Sequence, residues 1–245
     1  MKRIILFLLI LSYSNFAVAK NTHILFIGNS YTYVNDMPKM VEKLSKSDSD
    51  IGSSFIIEQV TKGGAKLIDH WNDKEALNKI QSKNWDYVVF QEQSSWALYK
   101  FDYDNSYRVA PKFRRASVSS VKNKILFVTW PRKPRSNWYR GKTSKIFKNA
   151  GYMSSELNKR SKKLAGYLGA SEIKIGDYWN FMSKKYPNIN LYDKDNSHPS
   201  LAGSYFNALL FYKVFSKSKN IANIDYVPQG LSQEDAKLLK MIVAG

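Results

Sequence analysis

The sequence His-Ile-Leu-Phe-Ile-Gly-Asn-Ser-Tyr-Thr occupies residues 23–32 and defines the first element of the fold. Its apolar residues 24–27 predict a short strand that is covered on both faces, as strands of parallel sheets are. Gly28 allows a tight turn directly after this strand, because glycine has no side chain to collide with its surroundings. Ser30 is therefore expected just past the carboxyl end of the strand, where open α/β sheets bind their ligands.

Strand and helix patterns alternate from this stretch to the C-terminus. Strands are predicted at 24–27, 55–60, 87–90, 124–129 and 173–176. Helices are predicted at 38–47, 65–81, 104–123, 152–168, 178–185, 201–215 and 232–243. This alternation favours a parallel sheet with helices on both faces. We therefore expect an α/β fold, a three-layer sandwich built on a parallel sheet with one strand from each predicted segment.

The composition is that of one globular domain. The chain has 245 residues, 44% of them hydrophobic, and it has no cysteine. This apolar content is enough for one substantial core. The lack of cysteine excludes disulfides and thiolate metal sites. Because no repeat or linker interrupts residues 20–245, we expect a single domain there.

Residues 1–19 have the pattern of an export signal. Lys2 and Arg3 give a positive start, residues 4–11 are apolar, and residues 17–19 form a small-x-small cleavage pattern. The apolar run is too short to cross a bilayer as a helix, so a removable signal is favoured over a membrane anchor. We expect a periplasmic or extracellular protein with no stable membrane insertion once the signal is removed.

The formal net charge of +18 points to anionic partners. Such a charge favours nucleic acid, anionic lipid surfaces or acidic glycans. Because an exported protein rarely meets nucleic acid as its natural partner, acidic polysaccharide ranks above DNA or RNA. The alternative is a generally basic surface with no specific partner, since the lysines are spread along the chain.

Ser30, Asp195 and His198 are the candidate catalytic residues. A serine nucleophile needs a base to take its proton and a third group to orient that base. Of the three histidines, only His198 has an acid at short spacing in a predicted loop, namely Asp195. The alternatives are that Ser30 only caps a helix or turn and that Asp195 only caps its own loop.

Groups that could stabilise an oxyanion follow several predicted strands. Backbone N–H groups and neutral amides can serve, if they are aimed where the charge develops. The candidates are the N–H groups of Ser30 and of Gly63 or Gly64, together with the side-chain amide of Gln91 or Gln93. Each also has a simpler interpretation, as a turn glycine or a solvated polar residue.

Four segments of the chain resemble the sequence blocks of the SGNH/GDSL hydrolase superfamily. Residues 28–32, Gly-Asn-Ser-Tyr-Thr, resemble the first block, and residues 63–64 resemble the second. Residues 195–199, Asp-Asn-Ser-His-Pro, match the Asp-x-x-His-Pro pattern of the last block. The resemblance implies a flavodoxin-like sheet, Ser30 as nucleophile, His198 as base, Asp195 as its orienter and no cofactor. It also implies an oxyanion hole from the N–H groups of Ser30 and a second-block glycine, for which we favour Gly64.

The third block departs from the superfamily pattern. Residues 91–94 read Gln-Glu-Gln-Ser, where the usual block is Gly-x-Asn-Asp. A glutamine presents the same amide donor as asparagine, so Gln91 is our first choice for the oxyanion hole and Gln93 the alternative. This form of the block resembles a subset of bacterial, often exported, carbohydrate-esterase relatives.

The resulting hypothesis is an exported serine esterase that removes small acyl groups, most simply O-acetyl groups, from a glycan. One alternative is a non-catalytic binder of acidic polysaccharide, suggested by the altered third block and the charge. Another is a lipase or thioesterase, although no long apolar groove is evident in the sequence. The basic and aromatic residues 130–139 could contact sugars or form a packed lid. Metal binding by Asp193, Asp195 and His198 is disfavoured, because no second cluster completes a ligand set.

Overall fold

The computed structural model describes residues 21–51 and 53–245, so the export signal predicted at 1–19 lies outside the described residues. Five parallel strands form one sheet in the order β2-β1-β3-β4-β5. The strands are β1 (Thr22–Gly28), β2 (Phe55–Thr61), β3 (Trp85–Gln91), β4 (Val121–Val128) and β5 (Ser171–Lys174). The predicted parallel α/β sheet is thus confirmed.

Helices connect the strands, with short 3₁₀ turns between some of them. They are α1 (Ser30–Tyr33), α2 (Met37–Ser47), α3 (Leu67–Asn72), α4 (Glu75–Gln81), α5 (Lys100–Ala116), α6 (Ser144–Phe147), α7 (Ala150–Leu168), α8 (Ile175–Lys185), α9 (Leu201–Ser216) and α10 (Gln233–Ala244). None of the helices in the described part of the chain is long and apolar enough to cross a membrane.

Two predicted helices differ most from the structure in their limits. The helix predicted at 65–81 is divided into α3 and α4, because Lys74 takes a left-handed backbone with φ 68°. The Asp73 side chain accepts a hydrogen bond from the Glu75 backbone N–H at 3.2 Å and helps to start α4. The helix predicted at 104–123 is α5, which begins earlier, contains Pro111 and ends before β4.

The sheet is covered on both faces, which gives the predicted three layers. Successive residues of β1 alternate between them: Ile24 and Phe26 pack against α2, α8, α9 and α10, whereas Leu25 and Ile27 pack against α3, α4, α5 and α7. All four of these side chains have no solvent exposure. The apolar run after His23 is therefore the centre of two cores, as a strand of a parallel sheet requires.

The strand order reverses at β1, which lies between β2 and β3. The chain passes from β1 to β2 on one side, and β3 pairs with the other side of β1. A ligand crevice is expected where the order of a parallel sheet reverses in this way, outside the carboxyl ends of the strands. Gly28 ends β1 at that edge, and Ser30 begins α1 immediately beyond it.

Candidate active site

The turn between β1 and α1 is shaped by close packing around Gly28. A Cβ atom at this position would lie 2.5 Å from Gln91 Oε1 and 2.6 Å from Thr32 Oγ1, so no other residue fits. Asn29 then caps α1, since its Oδ1 accepts a hydrogen bond from the Tyr31 backbone N–H at 3.1 Å. These contacts fix Ser30 at the first position of the helix.

Ser30, His198 and Asp195 form one hydrogen-bonded chain. Ser30 Oγ lies 2.8 Å from His198 Nε2, although the two residues are 168 positions apart in the sequence. On the other side of the imidazole, His198 Nδ1 lies 2.5 Å from Asp195 Oδ2. The structure therefore brings the three predicted catalytic side chains together in the order nucleophile, base and orienting acid.

The loop that carries Asp195 and His198 is held by its own backbone. Asp195 Oδ1 accepts hydrogen bonds from the backbone N–H groups of Ser197 and His198, each at 2.9 Å. The Asp193 N–H donates to the His198 carbonyl at 2.8 Å, and Tyr192 pairs with Pro199 in an isolated bridge. The spacing of three residues thus places the carboxylate and the imidazole on the same side of a closed turn.

Asp195 is an anion at neutral pH. Partial burial acts to raise its pKa, but the hydrogen bonds from the His198 side chain and from two backbone N–H groups outweigh burial and hold the pKa below its usual value. A carboxylate next to Nδ1 favours the tautomer with the proton on Nδ1. His198 Nε2 is then the acceptor that faces the Ser30 hydroxyl.

The loop after β2 is tied to the Ser30 turn by two hydrogen bonds. The Lys62 N–H donates to the Gly28 carbonyl at 3.2 Å, and Asn29 Nδ2 donates to the Ala65 carbonyl at 2.9 Å. Between these anchors Gly64 has a φ of 69°, which favours glycine, and its missing side chain leaves open space. Gly64 thus has the exposed backbone that the predicted oxyanion hole needs.

The prediction that Gln91 contributes to the oxyanion hole is wrong. Gln91 is fully buried beneath the Ser30 turn, where its Oε1 accepts hydrogen bonds from the Asn29 N–H at 2.8 Å and from Thr32 Oγ1 at 3.0 Å. Its Nε2 donates to the Glu92 carbonyl. The Gln91 amide therefore shapes the turn from below and cannot reach a substrate.

Gln93, the alternative, is only partly buried. Its Oε1 accepts hydrogen bonds from the N–H and the hydroxyl of Ser95, at 2.8 and 2.9 Å. This pairing turns the Nε2 donor away from Ser95. Of the two glutamines, Gln93 is thus the one that can offer an amide donor to a bound ligand.

Glu92 joins the loops behind the site. Its carboxylate accepts hydrogen bonds from the Leu67 N–H at 3.2 Å, the Gln93 N–H at 2.7 Å and Ser106 Oγ at 2.7 Å. Burial raises the pKa of Glu92 to about 7, and these hydrogen bonds oppose the rise only in part. Glu92 therefore changes its charge near neutral pH.

Aromatic side chains pack behind His198. The Tyr31 ring stacks on Trp130 with centroids 4.6 Å apart and presents an edge to the His198 ring at 5.2 Å. The Tyr31 hydroxyl lies 2.6 Å from Ser197 Oγ, and Trp130 Nε1 donates to the Ser197 carbonyl at 3.1 Å. Trp130 is fully buried, so it supports the catalytic loop and does not form an exposed sugar platform.

Arg132 is a buried cation in this cluster. Its guanidinium donates to the Tyr31 hydroxyl and, at 3.0 Å, to Ser94 Oγ, and its centre lies 4.8 Å from the centroid of the Trp138 ring. The side chain is 5% exposed, and its Nε has no hydrogen-bond partner. Within residues 21–51 and 53–245, the hydrogen bonds of this guanidinium go to hydroxyl groups and not to a carboxylate. The sequence indicated a basic, aromatic loop here but gave no signal that this arginine is buried.

The other two histidines lie away from the Ser30 hydroxyl. His70 is buried, and its Nε2 is 2.9 Å from the Gly28 carbonyl, which it supports from below. His23 lies near the start of β1, at the opposite end of the strand from Ser30. In the described residues, no group of three or more histidine and acidic side chains is arranged to hold a metal ion.

No family model and no curated protein matches the chain, whereas solved structures do. A candidate SGNH hydrolase from Slackia heliotrinireducens has a TM-score of 0.66 and 24% identity, over 81% of this chain and 100% of that one. The chain has the SGNH hydrolase fold. A DUF4886 family protein from Bacteroides uniformis matches with a TM-score of 0.74 and 17% identity, over 92% and 94% of the two chains. The acetylxylan esterase of Geobacillus stearothermophilus matches with a TM-score of 0.58 and 16% identity, over 80% and 94%. The SGNH fold thus places the Ser30 turn and the Asp195–His198 loop at the same edge of the sheet.

Proposed function

We propose that the protein is an exported serine esterase that removes small acyl groups, O-acetyl groups above all, from a glycan. The observation that carries this proposal is the hydrogen-bonded chain from Ser30 through His198 to Asp195. The structural similarity to an acetylxylan esterase supports the choice of an acetylated glycan. The pattern of residues 1–19 supports export.

The reaction has two stages. His198 Nε2 takes the proton of the Ser30 hydroxyl as Oγ attacks the ester carbonyl, and Asp195 stabilises the imidazolium that forms. The backbone N–H groups of Ser30 and Gly64 stabilise the oxyanion, with Gln93 as the side-chain donor in place of Gln91. As the bond between the acyl carbon and the sugar oxygen breaks, His198 gives the proton to that oxygen, so the sugar leaves with a free hydroxyl and the acyl group stays on Ser30. A water molecule, activated by His198, releases the acid and restores the enzyme.

Hydrolysis of p-nitrophenyl esters tests this proposal directly. The purified protein without residues 1–19 should hydrolyse the acetate faster than the butyrate or octanoate. Ser30→Ala and His198→Ala should each lower kcat by roughly 10⁴-fold or more, because the nucleophile and its base act as a unit. Folded variants that retain wild-type turnover would contradict the proposal, and a preference for octanoate would favour a lipase.

A non-catalytic binder of acidic polysaccharide is the second candidate. It is favoured by the net charge of +18 and by the side chain of Gln91, which is buried away from the expected oxyanion hole. A binder would show no turnover on any ester and would be retained on an immobilised acidic polymer in a salt-dependent way. Ester hydrolysis that is lost in Ser30→Ala would exclude this candidate.

A further inference from the structure

A cavity of about 650 Å³ lies beside the Asp195–His198 loop and outside the chain of catalytic hydrogen bonds. Its walls come from residues 133–135, from the start of α7, from α8 and from residues 187–192. This volume falls within the range of about 300–1,000 Å³ that is typical of small-molecule sites in proteins. Nothing in the proposed chemistry at Ser30 uses this cavity.

The cavity and the candidate active site share a wall. The backbone N–H of Lys133, which lines the cavity, donates to the carbonyl of Asn196 at 2.9 Å, directly after Asp195. Tyr192 also lines the cavity and pairs with Pro199, directly after His198. A glycan unit bound in the cavity would therefore lie against the loop that positions Asp195 and His198.

Three cations line the cavity, and no acidic residue does. They are Lys133, Arg135 and Lys184. Lys133 Nζ donates to the neutral Asn190 Oδ1 at 3.0 Å, and none of the ion pairs found in the described residues involves any of the three cations. Uncompensated charges of one sign in a concave site concentrate ions of the opposite sign.

The backbone of Arg135 adds to this argument. Its φ of 63° lies in the left-handed region, where a residue with a side chain is less favoured than glycine. An arginine thus occupies a turn position that favours glycine, and this arginine lines the cavity. The planar fork of this group matches a carboxylate, with which it forms two parallel hydrogen bonds.

The remaining lining suits a sugar. Asn180 and Ser183 supply neutral hydrogen-bonding groups for hydroxyls, and Ile189 and Pro187 supply apolar surface for a C–H face. Single-stranded nucleic acid would need exposed aromatic rings for its bases. Tyr192 is the aromatic residue of the lining and is 4% exposed, which leaves no such platform in this cavity.

We propose that the cavity is a subsite for a carboxylate-bearing sugar, so that the natural substrate is an acylated acidic glycan. This inference rests on the proposed esterase function, which it deepens by assigning the sugar class next to the ester. The carboxylate binds Lys133, Arg135 and Lys184, while the adjoining acylated unit reaches Ser30.

The test compares acetylated polygalacturonate with acetylated xylan, whose backbone is neutral. In the variant K133Q/R135Q/K184Q, the ratio of kcat/KM for the acidic polymer to kcat/KM for the neutral polymer should fall by about tenfold or more, because three attractive charges are lost. The control variant K159Q/K162Q/K237Q removes equal charge from exposed lysines elsewhere, and its ratio should stay within about twofold of the wild type. Lys184→Glu, at the exposed end of α8, should lower the ratio on its own.

Binding separates this inference from the proposed activity. Ser30→Ala should bind de-esterified polygalacturonate, and the same protein with the three cavity substitutions should bind it at least about fivefold more weakly. If neither polymer is hydrolysed, the esterase proposal fails while this binding still tests the cavity. The subsite proposal would be overturned if the cavity substitutions changed neither the ratio of the kcat/KM values nor the binding of polygalacturonate. Equal losses in the control variant would overturn it as well.

Discussion

Gln91 and Gln93 are two positions apart in the chain but have different environments. Gln91 is fully buried and accepts the Asn29 N–H at the turn that carries Ser30, whereas Gln93 is partly buried and pairs through its oxygen with Ser95. The first residue supports the backbone at the site, and the second has a donor group available. The two substitutions should therefore have different effects.

Gln91→Ala should destabilise the protein, because it leaves the buried Asn29 N–H without an acceptor and opens a cavity below the turn. We expect a loss of roughly 2–4 kcal/mol in the free energy of unfolding, measured by urea denaturation. Gln93→Ala should leave stability nearly unchanged and lower kcat by about 10–10³-fold if its amide stabilises the oxyanion. Equal stability losses in both variants would contradict this division.

Asp195 acts through His198 and is therefore expected to affect turnover more than binding. Asp195→Asn removes the carboxylate that holds the proton on Nδ1, so kcat on p-nitrophenyl acetate should fall by roughly 10²–10⁴-fold with little change in KM. Asp193→Asn is the matched control, because Asp193 lies in the same loop and its carboxylate accepts only the Lys194 N–H at 2.8 Å in the described structure. A similar loss in both variants would indicate a general loop defect.

Glu92 is expected to make stability depend on pH. Its folded pKa of about 7 lies above the ordinary value of 4.5, so the folded protein keeps a proton that the unfolded chain has lost between these values. Stability from this residue should therefore fall as pH rises through that window, by of the order of 3 kcal/mol, and remain low above pH 7. Glu92→Gln should remove this fall.

Urea denaturation of the wild type and Glu92→Gln at pH 5 and pH 8 measures the effect. The free energy of unfolding of Glu92→Gln, relative to that of the wild type, should be higher at pH 8 than at pH 5. The reason is that the amide of the variant stays neutral at both pH values. Other titrating groups contribute equally to both proteins and cancel in the difference. Parallel changes in the two proteins would show that Glu92 keeps the same charge throughout.

Among the larger elements, the loop that follows β4 acts as a brace for the catalytic loop. Trp130 and Trp138 donate to the carbonyls of Ser197 and Asp195, both at 3.1 Å, and Arg132 holds the Tyr31 hydroxyl. Of the two roles considered for residues 130–139 from the sequence, these contacts therefore fit the packed lid better than a sugar-binding surface. The loop fixes the relative positions of the two segments that carry Ser30 and His198.

Arg132→Met tests this bracing role. The loss of the guanidinium should lower kcat by about tenfold, because the Tyr31 hydroxyl loses one of its hydrogen-bond partners and the ring that faces His198 is held less firmly. Arg132→Lys should recover only part of the activity, since an ammonium cannot reproduce the planar fork. Arg140→Met, at an exposed arginine of the same loop, should retain wild-type kcat, and a matching loss there would contradict the role given to Arg132.

The sequence predicts best those elements whose signals are local. The branched apolar run 24–27 identifies β1, and the spacing of Asp195 and His198 within one turn indicates that they act together. The burial of Gln91 depends on a long-range strand pairing. Because β3 pairs with β1 so that Phe90 lies opposite Ile27, Gln91 comes next to Gly28. The burial of Arg132 depends on Tyr31 and Ser94, which lie far away in the chain, and no local pattern reports it.

For the whole molecule, strand order decides which residues meet. In a parallel sheet every strand ends at the same edge, so segments after the first strand and after the last one can reach a common crevice. The high net charge has no comparable local signal, since its lysines are scattered along the chain and only the fold brings Lys184 to the same cavity as Lys133 and Arg135. The sequence alone therefore suggested an anionic partner, and the subsite proposed for it depends on the folded arrangement.

The separation of 168 positions between Ser30 and His198 also orders events during biosynthesis. A ribosome makes the amino end first, so the hydroxyl emerges long before its proton acceptor exists. Until the segment with His198 has been made and docked, the Ser30 hydroxyl has no base to take its proton and does not attack esters. The first appearance of turnover in a refolding or translation time course would therefore mark the docking of the segment that carries His198.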